Sequence, residues 1–393
     1  MREPSQTAIG TWSGGRYLHF GEPIEAERLQ TLLRPGAGLD TLLTADAYKA
    51  GEADRLLGRA LVGTRRDAYC LIGAIGHDFY EGERDGPRGF PRFTDPALRG
   101  PGDYAGYVRK ATERSLRRLG IDAFDVLLLH NPDRTGFESE AVWEALRAVR
   151  DAGLTARLGV APGPANGFTL DLIGCFERFG ELIDWAMVIL NPLEPWPGEL
   201  CLAAAREHDV RVIARVVDHG GLFWDDVAPG HAFAAGDHRT FRPAGWVDAG
   251  ARKLARLRPI AERHDLTMLQ LAVQWCLAHD AVACAVPTLI QEPGGRPIED
   301  KRAELLATPR EPLLTPQEVA EIRAIGDNGG SMTLKGGGPD HDGAARPDRW
   351  SLTPELLALA RRWGIDPDHD LRRLPDPGSP RRPDRARPAA ARA

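Results

Sequence analysis

Long apolar runs are missing from this 393-residue sequence. No segment reaches the roughly 20 consecutive apolar residues that a membrane-spanning helix needs. The opening residues, MREPSQTAIG, also lack the basic stretch and apolar core of a targeting signal. These absences predict a soluble, cytoplasmic protein with no role at a membrane.

A large charge excess of either sign is also missing. The chain has 50 Lys and Arg residues against 56 Asp and Glu residues, which gives a net charge of -6. Binding to nucleic acid or to an anionic membrane usually requires a basic surface. The composition therefore favours a small-molecule substrate over nucleic acid as the main partner.

Cysteine is scarce, and its spacing fits neither a metal site nor a disulfide framework. No two cysteines form a CxxC pair, and their odd number cannot be fully paired. Most stand in apolar stretches, so we predict reduced thiols in the core. The five residues are Cys70, Cys175, Cys201, Cys276 and Cys284.

Eight short apolar runs recur along the chain and predict β-strands. Most are continuously apolar rather than alternating, which is typical of parallel strands covered on both faces. The predicted strands are Ala8–Trp12, Leu39–Leu43, Tyr69–Ile75, Asp125–His130, Arg157–Ala161, Trp185–Leu190, Arg211–Val217 and Ala283–Pro287.

Segments with helical spacing of apolar residues lie between these strands. Strand–helix alternation repeated eight times predicts an α/β fold, a closed (β/α)8 TIM barrel. A doubly wound sheet is the alternative, but no GxGxxG follows the first strand. The predicted helices are Ile24–Leu33, Glu52–Leu61, Tyr104–Leu119 (capped by Gly120), Ala141–Asp151, Thr169–Phe179, Glu199–His208, Ala249–His264 and Met268–His279.

Composition divides the chain into three parts. Residues 1–330 form the predicted barrel, and residues 331–372 form an extension with one amphipathic helix at Thr353–Trp363. Residues 373–393 are dense in Pro, Arg and Ala, which predicts a disordered tail.

Four strings in this order resemble the aldo-keto reductase family. AIGTW (Ala8–Trp12) is similar to its first barrel strand, and TADAYKAGEADRLLGRAL (Thr44–Leu61) to its second strand end and following helix. SLRRLGIDAFDVLLLHNPD (Ser115–Asp133) resembles its helix, turn and strand ending in His. PIAERHDLTMLQLAVQWCLAHDAVACAVP (Pro259–Pro287) is similar to its final helix and eighth strand. The resemblance implies a barrel of this type over about residues 8–325.

The resemblance also implies a catalytic tetrad of Asp, Tyr, Lys and His, of which only half is present. Tyr48 matches the family Tyr, and His130 matches the family His. Leu43 stands at the Asp position and Ala74 at the Lys position. In the family these two tune the Tyr, whose phenol is otherwise a poor acid near neutral pH. Asp46 aligns with a variable position and is not assigned as a substitute.

The nicotinamide side departs from the family as well. The Ser-Asn pair falls at Ala161 and Pro162, the Gln at Met187, and the stacking Tyr at Arg215. NADP(H) or NAD(H) remains the cofactor that the resemblance implies. The residues assigned to it are Gly221, Leu222, Arg296 and Lys301, although the last two can equally be solvated surface charges.

Two long connections, His77–Gly102 and Asp218–Trp246, follow the third and seventh strands at the end where barrel enzymes build their sites. Tyr48, His130, Asp218 and His219 are the candidate catalytic residues. Asp218 and His219 can alternatively belong to a structural ion pair, and Asn191 can simply satisfy a turn. The candidate substrate-binding residues are Trp12, His77, Asn131, Asn191 and Arg215.

His77, His130, Asp218 and His219 also raise the question of a metal site, but no local ligand spacing supports it, so we predict no metal. The first functional hypothesis is an NAD(P)(H)-dependent oxidoreductase with an atypical active site, acting on a carbonyl or alcohol of a small polar or sugar-like substrate. The alternatives are a redox-neutral lyase, isomerase or hydrolase on the same barrel, and a non-catalytic ligand-binding protein.

Overall fold

The computed structural model describes residues 2–84, 89–163, 167–242, 245–328 and 352–371. Eight parallel strands follow one another around the sheet in chain order, which confirms the predicted α/β barrel. The strands are β1 (Ile9–Gly10), β2 (Thr41–Leu43), β3 (Cys70–Ile75), β4 (Phe124–His130), β5 (Thr155–Ala161), β6 (Trp185–Ile189), β7 (Arg211–Arg215) and β8 (Val282–Val286).

The barrel closes between its last and first strands through a short contact. Thr7 and Ala285 form a parallel bridge, and the Ala8 N–H donates to the Ala285 carbonyl over 3.2 Å. The first strand is shorter than predicted because the Ser13 N–H turns back to the Gly10 carbonyl. The seventh strand ends at Arg215 because Val216 adopts a left-handed conformation with φ 60°.

Helices cover the outside of the barrel. The final helix of the series lies within the segment predicted as helical at residues 353–363, whereas the fourth, tenth and eleventh were not predicted. The helices are α1 (Ala26–Leu32), α2 (Glu52–Leu61), α3 (Tyr104–Leu119), α4 (Arg134–Glu138), α5 (Glu140–Asp151), α6 (Thr169–Phe179), α7 (Leu202–Glu207), α8 (Trp246–Arg263), α9 (Met268–Leu277), α10 (Ile298–Leu306), α11 (Pro316–Gly326) and α12 (Pro354–Arg362).

All of residues 331–351 and all of the predicted tail at 373–393 lie outside the described residues. Among the residues that are described, no helix is long and apolar enough to cross a membrane. All five cysteines are buried and unpaired by disulfides, as the sequence predicts.

Two hydrophobic layers explain why the strands read as continuous apolar runs. In β3, Cys70, Ile72 and Ala74 belong to the cluster inside the barrel, whereas Leu71 and Ile75 pack in the outer layer against the helices. Successive side chains of a strand point to opposite faces, so both faces must be apolar when both are covered.

A buried polar cluster joins the end of β2 to α2 and α3. Asp54 is fully buried, and its carboxylate accepts hydrogen bonds from Thr44 Oγ1 at 2.9 Å and Ser115 Oγ at 2.7 Å. Arg118 pairs with the same carboxylate at 3.0 Å. The cluster fixes the segment that carries Tyr48, which lies between Thr44 and Asp54 in the chain.

We expect Asp54→Ala to lower the free energy of unfolding by about 3–5 kcal/mol, because it leaves the buried Arg118 charge without its partner. Denaturant unfolding monitored by circular dichroism measures the change. Asp67→Ala is the matched control, since Asp67 pairs with Arg65 on the exposed surface, and it should leave the midpoint unchanged. Equal midpoints for the two variants would contradict a structural role for Asp54.

Candidate active site

A cavity of about 360 Å³ opens at the carboxyl ends of the strands. This is the rim where TIM-barrel enzymes place their catalytic residues. Side chains from the ends of several strands converge on it, together with residues of the long loops after β1, β3 and β7. The lining includes Trp12, Tyr17, His19, Phe20, Tyr48, Lys49, His77, Arg84, Phe90, His130, Asn131, Pro162, Met187, Arg215, Val216, Asp218, Gly220, His238, Arg242 and Thr288.

Four rings stand in sequence along one wall. The Tyr48 and His130 rings meet edge-to-face with centroids 5.9 Å apart. Trp12 lies 6.4 Å from Tyr48 on one side, and His77 lies 5.2 Å from His130 on the other. The structure therefore brings together the two residues that the family resemblance assigns to the tetrad, flanked by two of the candidate substrate-binding residues.

His130 is held as a neutral imidazole. Burial lowers its pKa well below the usual value, and the neighbouring His77 ring and the Arg215 and Arg92 cations lower the pKa further. Its Nδ1 is buried and has no hydrogen-bond partner among the described residues. A neutral imidazole can donate one N–H to a substrate oxygen, which makes His130 suited to orienting a carbonyl group.

Tyr48 lacks the neighbours that would make it acidic. Leu43 and Ala74 are both buried in the apolar interior of the barrel, so neither of these two positions supplies a charge. Burial raises the pKa of Tyr48 to about 12, and the nearby Arg215 cation opposes that rise. The phenol therefore stays protonated across the physiological range.

His77 and Asn131 form a hydrogen-bonded pair on the cavity wall. His77 Nδ1 lies 3.0 Å from the Phe90 carbonyl, and Asn131 Nδ2 lies 3.0 Å from His77 Nε2. The carbonyl can only accept and the amide nitrogen can only donate, so Nδ1 carries the proton. Arg92 Nε also donates to the Asn131 carbonyl over 2.6 Å. The third-strand loop is thus attached to the end of β4.

Arg215 projects from the end of β7 toward the end of β5. Its Nη2 donates to the Gly163 carbonyl at 2.7 Å and to the Pro162 carbonyl at 3.3 Å. Its Nε is buried and has no hydrogen-bond partner, and no carboxylate of the described chain forms an ion pair with it. Burial lowers its pKa to about 10.

Asp218 joins the loops that follow β7 and β8. One carboxylate oxygen accepts the Thr288 N–H at 2.7 Å, and the other accepts the Gly221 N–H at 3.1 Å. Both oxygens are therefore engaged with backbone groups. These contacts favour a structural role over the acid–base role predicted from the sequence.

His219 and Asn191 lie behind the cavity wall rather than on it. His219 Nδ1 faces Glu194 at 3.7 Å, and its ring meets Trp246 with centroids 5.9 Å apart. Asn191 accepts the Leu193 N–H at 2.9 Å and donates to the Val216 carbonyl at 3.1 Å, which satisfies a turn. Neither residue lines the cavity. A structural role therefore fits the geometry of both residues better than catalysis by His219 or substrate binding by Asn191.

The expected phosphate-binding cations are engaged elsewhere. Lys301 is fully buried, pairs with Asp226 and donates to the Ile290 carbonyl. Arg296 pairs with Glu304 at 2.6 Å, and neither cation lines the cavity. Gly221 and Leu222 are buried beneath the surface, where Gly220 takes the lining position instead.

Several lining residues escaped the sequence analysis. Arg242 and His238 belong to the long loop after β7, which the sequence marks as functional by its length alone. His19 lies after β1, and Thr288 follows β8, with no motif around either. Among the described residues, no group of three or more His, Cys, Asp or Glu side chains is arranged to hold a metal ion.

The model of the Aldo/keto reductase family matches residues 7–324. This chain belongs to that family. It is 24% identical over 337 residues to a probable voltage-gated potassium channel subunit beta of Arabidopsis thaliana, covering 81% of this chain and 93% of the relative.

Two solved aldo-keto reductases share the fold. Glycerol dehydrogenase AKR11B4 from Gluconobacter oxydans aligns with a TM-score of 0.63 at 20% identity, covering 83% of this chain and 92% of that chain. An aldo/keto reductase from Klebsiella pneumoniae in complex with NADP and acetate aligns with a TM-score of 0.56 at 20% identity, covering 84% and 95%. These similarities support the same barrel fold for this chain.

We expect His130 to remain uncharged from about pH 8 down to about pH 6, the range in which an unperturbed histidine gains its proton. The cause is burial beside other positive groups, which lowers the pKa of the imidazole. Nitrogen-15 NMR of the histidine rings measures the protonation state, with His130→Gln identifying the resonance. An imidazolium signal appearing in this range would contradict the neutral assignment.

Proposed function

We propose that this protein is an NAD(P)(H)-dependent oxidoreductase with an atypical active site, which interconverts a carbonyl and an alcohol in a small polar substrate. The observation that supports it most directly is the pairing of Tyr48 with His130 on a cavity at the carboxyl ends of the strands. A proton donor and a neutral hydrogen-bond donor face the same space, as carbonyl chemistry requires.

The ends of β7 and β8 offer a place for the dinucleotide. Gly220 has φ 70°, and a Cβ there would come within 3.0 Å of Arg242 Nη2, so only glycine leaves this space open. Backbone and guanidinium therefore border the cavity together, beside Thr288. In our proposal Gly220 and Arg242 face a phosphate of the cofactor.

The proposed chemistry divides between two residues of this chain. Tyr48 gives its phenolic proton to the carbonyl oxygen during reduction and takes it back during oxidation. His130 donates an N–H to the same oxygen and holds it next to Tyr48. When bound, NAD(P)H supplies the hydride for the carbonyl carbon.

Cofactor binding provides the direct test. Titration of the purified protein with NADPH, NADH, NADP+ and NAD+ should change the intrinsic Trp fluorescence and raise the unfolding midpoint for at least one of them. No response to any of the four would refute the proposal.

We expect Tyr48→Phe to lower kcat at least about 100-fold, because it removes the proton donor and leaves the ring in place. Dinucleotide binding should be unchanged. Tyr69→Phe is the matched control, since Tyr69 is a buried tyrosine away from the cavity, and it should retain full turnover. Wild-type turnover in Tyr48→Phe would remove Tyr48 from the reaction.

The pH dependence should differ between the two directions. Reduction needs the protonated phenol, so its rate should stay level until the pH approaches the pKa of Tyr48, which is about 12. Alcohol oxidation needs the phenolate and should keep rising with pH over the accessible range. Initial rates in both directions measure this, and an oxidation rate that levels off near neutral pH would contradict it.

A redox-neutral reaction on the same residues is the second candidate. The observation that favours it is the position of Arg215, whose guanidinium bonds to the Pro162 and Gly163 carbonyls in the region that the family resemblance assigns to the nicotinamide. Turnover of a substrate without change in nicotinamide absorbance would support this candidate over the first.

A further inference from the structure

The cavity is electropositive in a protein of negative net charge. Four permanent cations line it, namely Lys49, Arg84, Arg215 and Arg242, against one acidic residue, Asp218. Both oxygens of Asp218 already accept backbone N–H groups. The chain as a whole carries a net charge of -6, so the excess of positive charge belongs to this cavity and not to the protein in general. A cleft of one sign concentrates ligands of the opposite sign.

Arg215 is a half-buried cation of this cavity that forms no ion pair with a carboxylate of the described residues. Its two hydrogen-bond acceptors are neutral backbone carbonyls, and its Nε has none. Burying a guanidinium without a carboxylate partner is costly, and the lowered pKa of Arg215, about 10, reflects that cost. An anion that enters the cavity and pairs with Arg215 would relieve it.

The nearest candidate for an internal counterion is directed elsewhere. The Glu194 carboxylate influences both Arg215 and Arg242 through space. It is nevertheless buried behind the wall, where it faces His219 Nδ1 at 3.7 Å and forms no ion pair with Arg215. Glu194 therefore offsets part of the charge of Arg215 but does not line the cavity.

Arg215 also lies close to the proposed reacting group. Both side chains line the same cavity, and the charge of Arg215 lowers the pKa of Tyr48. His130 responds to Arg215 in the same way. A short molecule can therefore present an anionic group to Arg215 and a neighbouring oxygen to Tyr48 and His130.

We propose that the substrate is a short-chain oxo or hydroxy carboxylate, with its carboxylate paired to the Arg215 guanidinium and its carbonyl or hydroxyl oxygen between Tyr48 and His130. Lys49 and Arg84 add to the positive potential that draws the anion in. This assignment of substrate class rests on the proposed function, because it assumes that Tyr48 and His130 act on a carbonyl or alcohol.

Binding of a matched pair of ligands to the full-length protein tests the assignment without turnover. 2-Oxobutyrate and butan-2-one share the ethyl ketone and differ by a carboxylate in place of a methyl group. We expect 2-oxobutyrate to bind at least about 10-fold more tightly by calorimetry, as a charged hydrogen bond to a buried donor implies. Equal affinities would overturn the proposal.

Substitution of Arg215 locates the effect. Arg215→Gln should weaken 2-oxobutyrate binding by about 10- to 100-fold and leave butan-2-one binding unchanged. Arg211→Gln is the matched control at the opposite end of β7, where Arg211 pairs with Glu3 at 3.0 Å, and it should bind like the wild type. An unaltered affinity of Arg215→Gln for 2-oxobutyrate would overturn the proposal.

Further measurements separate this inference from competing explanations. Removing a poorly compensated buried charge should not lower the unfolding midpoint of Arg215→Gln, which keeps a binding defect distinct from misfolding. Inorganic phosphate binding at Arg215 as tightly as 2-oxobutyrate would overturn the choice of a carboxylate.

The dinucleotide titrations distinguish failure of the inference from failure of the proposed function. Arg215-dependent binding of 2-oxobutyrate without any response to NAD(P)(H) would support the anion site and refute the oxidoreductase. Dinucleotide binding together with reduction of neutral ketones only would support the oxidoreductase and refute the anion site.

Discussion

The parallel closure of the barrel is the constraint on which the site depends. All eight strands run in the same direction, and the Thr7–Ala285 bridge joins the last to the first. Their carboxyl ends consequently meet on one rim, so Trp12, Tyr48 and His130 become neighbours although they are far apart in the chain. An open sheet would spread the same residues along an edge.

Charge at this rim is distributed differently from what an intact tetrad would supply. Leu43 and Ala74 contribute apolar surface in the barrel interior, and the phenol of Tyr48 keeps a high pKa. Arg215, at the end of β7, is the cation that lowers this pKa. The positive charge near Tyr48 therefore comes from β7, and in our proposal the same charge binds the substrate anion. One side chain can thus link proton donation to substrate selection.

Buried polar groups hold together the segments that surround the cavity. Asp54 holds the segment before Tyr48 against α3, and Asp218 ties the loop after β7 to the loop after β8. Each joins parts of the chain that are well separated in sequence. Such fixed supports matter because small displacements of reacting groups reduce rates strongly. The cavity residues are thus supported by a second set of buried polar contacts.

The sequence by itself indicated the barrel, because continuously apolar runs are typical of parallel strands covered on both faces and because strand–helix alternation repeats eight times. It also placed Tyr48 and His130, since strand-end positions in a closed barrel fall on one rim. The tertiary structure decided the roles of the charged residues. Lys301 and Asp218 find their partners many residues away, in Asp226 and in the Thr288 N–H. The loop residue Arg242 reaches the cavity only through the path of the chain after β7. Whether a charged side chain binds a ligand or stabilises the fold depends on the groups that surround it in space. The spacing of residues along the chain does not contain that information.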